Sequence, residues 1–211
     1  MLKTTRKHAD WWKSRKINWE QDYLLADGAM NHPHRQMILD TLASLRWRSI
    51  VEVGMGAGAN LVRIKQQWPS AIVGGCDINR DAVIVAGKYL KDARYLDVAD
   101  PRDIFLSDGT IDVTLSDACL IYMGPTQIRK ALKEMRRVAI RYLVLCEFHS
   151  ESWWERMKLR WQTGYNAYDY KKLLEELGFF NIKITKIPKE VWPGTPWEKF
   201  GCIISCEFPS R

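Results

Sequence analysis

At 211 residues, 46% hydrophobic and 27% charged, the chain has the composition of a soluble globular protein and is long enough to bury one sizeable core. No stretch approaches the roughly 20 apolar residues of a membrane span, and the opening MLKTTRKHADWWKSRK has no apolar run suited to a secretory signal. A net charge of +7 favours anionic partners, but the cations are spread (Lys3, Arg6, Lys7, Lys13, Arg15, Lys16, then Arg136, Arg137, Arg141, Lys171, Lys172), as on solvated helix faces.

Residues 8–26 read as an aromatic, charged helix with the character of an arm. Pro33 suits the first turn of the next helix, whose Met37, Ile38, Leu42 and Leu45 share one face. A first strand at 49–53, SIVEV, runs into VEVGMGAGANL, where Gly54, Gly56 and Gly58 alternate before a helix that lasts to about Trp68. A second strand follows at 71–77, then a helix from Asn79 to Tyr89 and a short strand near Arg94–Leu96. A fourth strand covers 111–117. Ile128, Ala131, Leu132, Met135 and Val138 mark an amphipathic helix, and 142–148, wholly apolar but for Glu147, reads as a strand buried on both faces.

After that strand the grammar changes. A Trp-rich helical stretch, SWWERMKLRW, precedes a helix that stops at Gly178. Two strands, 181–188 and 201–208, are joined by KEVWPGTPWEKF, too short for a packed crossover helix and therefore suited to antiparallel pairing. Alternating strands and helices ending in such a hairpin predict an α/β fold. Cys76, Cys119, Cys146, Cys202 and Cys206 form no CxxC pair and read as thiols of a reducing, cytoplasmic compartment, with no metal site.

Glycines at 54, 56 and 58 let backbone lie against a ligand, and the helix beyond offers free N–H groups. By itself the loop fits two cofactors. Gly54-x-Gly56-x-x-Ala59 with Asp77 some twenty residues on matches a dinucleotide fingerprint; Glu52-x-Gly54-x-Gly56-x-Gly58 matches a methyltransferase loop. Glu52 at the end of an apolar strand calls for a polar or cationic partner. The chain has no room for a separate dehydrogenase substrate domain, and the terminal hairpin belongs to the methyltransferase version of the fold.

From about residue 34 onward the chain resembles the class I S-adenosylmethionine-dependent methyltransferases: VEVGMGAG looks like their first motif, GGCDINRDAV the second, YLDVAD the third and IDVTLSDACLIYMGP the fourth. The resemblance implies a single Rossmann-like domain over 1–211, with a mostly parallel seven-stranded sheet, a C-terminal antiparallel hairpin and helices on both faces. It also implies an N-terminal helical arm (1–32) and a Trp-rich substrate-side segment (150–170), both roofing the pocket. It implies S-adenosylmethionine as cofactor, with Glu52, Gly54, Gly56, Gly58 and Asn60 bordering its methionine and ribose parts. Asp77 would accept from the ribose hydroxyls, Ile78 would pack on adenine, Asp97 and Val98 would meet the adenine edge, and Tyr23 would close over the cofactor. Asp117 would sit near the amino-acid part or the reacting centre.

Candidate catalytic groups at the ends of the fourth and fifth strands are Asp117, Tyr122, Glu147 and His149, and a base is needed only for a hydroxyl or a protonated amine. ACLIYMGP resembles a segment of methyltransferases from sugar and surface-glycan pathways, where histidine often stands at the position of Tyr122. The expected acceptor is a small molecule, a sugar or glycan precursor among them. SDACLIY lacks the prolines of DNA amino-methyltransferases; RNA, or a silent cofactor-binding module with a basic partner surface, is the alternative. Nothing in the sequence specifies an oligomeric state.

Overall fold

A computed structural model describes residues 5–26 and 28–209; Lys3 of the basic arm and Asp27 of the turn before Pro33 lie outside them. The strands are β1 (Ser49–Val53), β2 (Ile72–Asp77), β3 (Tyr95–Val98), β4 (Ile111–Asp117), β5 (Ala139–Phe148), β6 (Phe180–Lys186) and β7 (Gly201–Glu207). They form one sheet in the order β3-β2-β1-β4-β5-β7-β6. The first five pair in parallel, whereas β7 runs antiparallel between β5 and β6. The expected terminal hairpin is thus present, and its last strand is the one inserted into the sheet.

The helices are α1 (Thr5–Ser14), α2 (Pro33–Ala43), α3 (Ala59–Gln67), α4 (Arg80–Tyr89), α5 (Pro125–Val138), α6 (Trp153–Thr163), α7 (Tyr170–Glu176) and the single turn α8 (Pro196–Phe200). Helices cover both faces because side chains alternate along the strands. Leu143, Leu145, Cys202, Ile204 and Cys206 pack with Ile128, Leu132 and Met135 of α5 and with Leu173 and Leu174 of α7. On the other face Tyr142, Val144, Cys146 and Ile203 meet Ile38 and Leu42 of α2 and Leu61 and Ile64 of α3.

One predicted element is broken in two. Instead of a continuous helix over 8–26, α1 ends at Ser14 and a short π-helical turn spans Gln21–Leu25. The side-chain amide of Asn79 donates to the carbonyls of Trp12 (2.7 Å) and Arg15 (2.9 Å), acceptors that a continuing helix would have used. The same Asn79 caps α4 by accepting from the N–H groups of Asp81 and Ala82. One side chain therefore starts α4 and turns the arm back over the sheet. Lys16–Asp81 (2.5 Å) and Tyr89 donating to Glu20 (2.8 Å) hold the returning segment.

Leu132 is fully buried between α5 and the sheet. Replacing it with alanine is expected to cost about 2–5 kcal/mol, read as a lower urea midpoint at unchanged slope.

Candidate active site

The carboxyl ends of β1, β2 and β4 converge on a cavity of about 290 Å³. Gly54 and Gly58 both have the positive φ that favours glycine (+70° and +82°), and neither has space for a Cβ. At Gly54 it would fall 2.3 Å from the Cys119 sulfur, and at Gly58 it would fall 2.9 Å from the Leu90 side chain, just past the end of α4. The loop is therefore pressed between β4 and α4, and Gly54, Met55 and Gly56 form a cavity wall. Gly58 lies behind it as the N-cap of α3.

Asp77, at the end of β2, faces the same space. Its Oδ2 accepts from the N–H of Gly56 (2.9 Å) and its Oδ1 from that of Asn79 (2.8 Å). Each oxygen keeps a second lone pair. Burial pushes this carboxyl above its ordinary range, against the pull of those backbone donors.

Glu52, Asn60 and Asp117 meet on one side of the cavity. The Asn60 amide donates to Glu52 Oε1 (2.6 Å) and to Asp117 Oδ2 (2.9 Å), while its own oxygen accepts from Arg35 (2.6 Å). Asp117 Oδ2 also lies 3.0 Å from His34 Nε2 and 3.3 Å from Arg35 Nη1. Burial would raise the Asp117 carboxyl, but His34, Arg35 and Asn60 outweigh it and hold it well below the usual range. Glu52 has less help. Its Oε2 is buried without a hydrogen-bond partner, and burial, reinforced by the Asp117 charge, pushes its carboxyl up to about 8.

Aromatic side chains close the space. Ala9 and Trp12 of α1, then Trp19 and Tyr23, lie over the glycine loop, with Trp19 and Tyr23 stacked at 5.2 Å. Tyr122 meets Trp12 edge-on at 5.2 Å. Trp192 and Trp197, from the β6–β7 connection, form the remaining wall, their rings 4.5 Å apart. Trp192 also packs on the imidazoles of His32 and His34, which approach each other Nδ1 to Nδ1 at 2.6 Å. Burial and the neighbouring His34 and Arg35 lower His32 to about 4.

Of the residues singled out from sequence, Tyr23, Glu52, Gly54, Gly56, Asn60, Asp77, Ile78, Asp117 and Tyr122 line this cavity. Gly58, Asp97, Val98, Glu147 and His149 do not. Asp97 accepts from the next N–H (2.7 Å) and Val98 is exposed; the chain reaches the cavity two residues later, with Asp100, Pro101 and Arg102. Glu147 is fully buried as an anchor. Oε1 accepts from the Ser116 hydroxyl (2.8 Å) and the N–H groups of Cys119 and Leu120 (both 3.0 Å), and Oε2 accepts from Ile121 N–H (3.0 Å). It thereby caps the short helical turn Leu120–Tyr122 and presents Tyr122 to the cavity. His149 accepts from the Tyr170 N–H (3.2 Å) elsewhere. Burial leaves it harder to protonate.

The second roofing segment also differs from expectation. Trp153, Trp154 and Trp161 of α6 point outward, and their place at the cavity is taken by Trp192 and Trp197. The two prolines between that pair, Pro193 and Pro196, were a turn signal, but nothing local indicated which way the rings face. His34 and Arg35 carried no signal beyond their place on a predicted helix.

Residues 50–140, the β1–α5 stretch that holds most of this geometry, match a family model described as a methyltransferase domain. No curated protein matches the chain. Among solved structures, the N-methyltransferase NodS from Bradyrhizobium japonicum WM9, in complex with S-adenosyl-L-homocysteine, is similar at TM-score 0.71 and 17% identity, over 99% of this chain and 100% of that one. The 4+2 cyclase SpnF is similar at TM-score 0.69 and 14% identity, over 100% and 98%. A magnesium protoporphyrin IX methyltransferase from Synechocystis PCC 6803 with bound S-adenosylmethionine is similar at 0.65 and 15%, over 99% and 98%. The chain thus has the class I, Rossmann-like methyltransferase fold, and its residues 50–140 match a methyltransferase domain. The likeness to a cyclase shows that the fold alone does not dictate the acceptor chemistry.

Replacing Glu147 with glutamine turns one acceptor oxygen into a donor facing backbone N–H groups. The expected cost is about 1–3 kcal/mol, a fall in Tm of roughly 2–12 °C by calorimetry. A variant of unchanged Tm with lost turnover would return Glu147 to a chemical role.

Proposed function

We propose that the protein transfers the methyl group of S-adenosylmethionine to a small-molecule acceptor held between the glycine loop and the Trp192–Trp197 wall. The observation that carries this reading is the buried, unpartnered Oε2 of Glu52, a residue that lines the same cavity as Asp77 and the aromatic roof. A ligand that presents a cation to Glu52 and a vicinal diol to Asp77 supplies what the protein leaves unpaired. The methionine ammonium and the ribose of the cofactor do both. Asn60 and Asp117 then border the methionine end, the backbone of Gly54 and Gly56 the ribose, and Ile78 the adenine. The adenine edge falls to Asp100–Arg102 in place of Asp97 and Val98. Tyr23 and Trp19 close over the top.

The reaction itself asks little of the side chains. The sulfonium already activates the methyl group, so in-line displacement needs alignment and exclusion of water. The roof of Trp12, Trp19 and Tyr122 serves that exclusion, and rings beside the sulfonium favour its positive charge. Burial raises the Tyr122 phenol, which keeps it neutral and a shaping group. Should the acceptor carry a hydroxyl, His34 is the imidazole on the wall, with His32 behind it leading outward. Flat tryptophan faces with neighbouring histidines suit a sugar ring, which supports a sugar or glycan precursor as acceptor. Trp12 faces into the roof and so is withdrawn from any RNA base, which weighs for a small molecule.

Calorimetric titration with S-adenosylhomocysteine, beside NADH as control, tests the cofactor half. Micromolar product binding is expected, NADH should give no heat, and Asp77→Ala should weaken the product at least about tenfold, the effect of one lost charged hydrogen bond. Labelled-methyl transfer to a sugar-nucleotide and small-amine panel, beside bulk RNA, tests the acceptor; label in RNA alone would overturn the small-molecule assignment.

A second measurement follows from Glu52. At pH 6 its carboxyl is protonated and must lose the proton to pair with the ligand ammonium, whereas near pH 8 half is already ionised. Product affinity should therefore rise between pH 6 and pH 8, by up to about tenfold per unit. Glu52→Gln should flatten that rise.

A further inference from the structure

Helix α6 carries the most exposed tryptophans among the described residues. Trp153, Trp154 and Trp161 are 55%, 75% and 74% exposed, and Met157 between them is 44% exposed. At 3.6 residues per turn, positions 153, 154, 157 and 161 fall within one stripe roughly 100° wide. The opposite side of the helix is anchored by Leu159, buried with Phe148 and Phe200. The stripe is therefore a presented face of a fixed helix. Ser152 caps its start and Gly164, at φ +78°, ends it.

Charge surrounds the stripe unevenly. Arg160 flanks it on one side and Lys158 on the other, while Arg156 is turned back to donate to the Ser150 and Glu151 carbonyls (both 2.8 Å) and the one acid of the helix, Glu155, is engaged by Lys199 at 2.8 Å. Four large apolar side chains between flanking cations form the pattern of a helix lying in the interface of an anionic membrane. Tryptophan suits the headgroup level, with its ring in the apolar part and its N–H toward water. A second copy fits less well, since an isologous contact would set the cations of one stripe against those of the other.

We infer that α6 is a membrane-surface anchor that docks the protein on anionic lipid bilayers through Trp153, Trp154, Met157 and Trp161, with Lys158 and Arg160 meeting the headgroups. This goes beyond the methyl-transfer reading and does not depend on it. Helix α6 follows β5 at its carboxyl end, the edge of the sheet on which the cavity lies, so docking sets that edge toward the bilayer. No helix among the described residues is long and apolar enough to cross a membrane, so the attachment is peripheral.

The test is co-sedimentation of the full chain with vesicles of phosphatidylcholine alone and of phosphatidylcholine with 30% phosphatidylglycerol, about 30% being a strongly anionic surface. Tryptophan emission is recorded in parallel. Binding to the anionic vesicles with a blue shift is expected, weakened by salt. A Trp153→Ala, Trp154→Ala, Trp161→Ala variant should lose it by at least about tenfold, and Lys158→Glu with Arg160→Glu should lose it comparably. These side chains touch neither the cavity nor the core, so circular dichroism and product binding should stay at wild-type values. Wild-type protein that remains in the supernatant with anionic vesicles overturns the inference. So does a triple variant that binds as well as wild type, or a stripe whose loss abolishes only self-association in light scattering.

Discussion

The site depends on one buried carboxamide. Asn60, in the first turn of α3, bridges two carboxylates that would otherwise repel each other at close range, and it anchors Arg35 through its oxygen. Its amide can satisfy two acceptors at once because it has two N–H groups, and its oxygen accepts the arginine. Four elements, β1, β4, α2 and α3, are held in register by those bonds. The same arrangement leaves an asymmetry. Asp117 collects three donors on one oxygen and is held ionised, whereas Glu52 keeps one oxygen bare and is pushed toward protonation. That unequal division of donors is what makes one end of the cavity receptive to a cation.

A second constraint operates at the opposite edge of the cavity. Glu147 puts a carboxylate in the centre of the sheet, a costly placement that is offset by four donors from the turn after β4 and from Ser116. The outcome is a rigid turn in which Ala118 takes φ +54°, a strained value for a residue with a side chain, at the cavity wall. Rigid walls on the strands contrast with a roof made from the arm, which Asn79 folds back by capturing two carbonyls. The sheet thus supplies precision and the arm supplies closure, a division in keeping with a reaction that requires alignment and dryness more than acid–base strength.

The lining of the cavity was legible wherever a residue is tied to a strand end by close sequence spacing. Gly54, Gly56, Asp77 and Asp117 line one cavity because parallel strands bring their carboxyl ends together. Asp97 and Val98 fell short of it because the chain after β3 runs two more residues before turning inward. Glu147 and His149 were legible as strand-end polar groups but not by orientation. Alternation along β5, together with the insertion of β7 beside it, turns the Glu147 carboxylate toward the β4 turn and His149 toward Tyr170.

Hydrophobic periodicity, glycine placement and the spacing of acidic residues by themselves determined the alternating strands and helices, the glycine loop and the terminal hairpin. Those are local properties, set by which residues can be buried at period 2 or 3.6 and which turns admit positive φ. Only the tertiary structure decided which tryptophans face the cavity. Trp192 and Trp197 reach it from the far end of the chain while Trp153, Trp154 and Trp161 turn to solvent. It also decided that His34 and Arg35, on a helix remote in sequence, complete the charge of Asp117. The reason is physical: a side chain's direction depends on the packing of its whole element, and a carboxylate's charge state depends on donors that only folding brings within 3 Å or so.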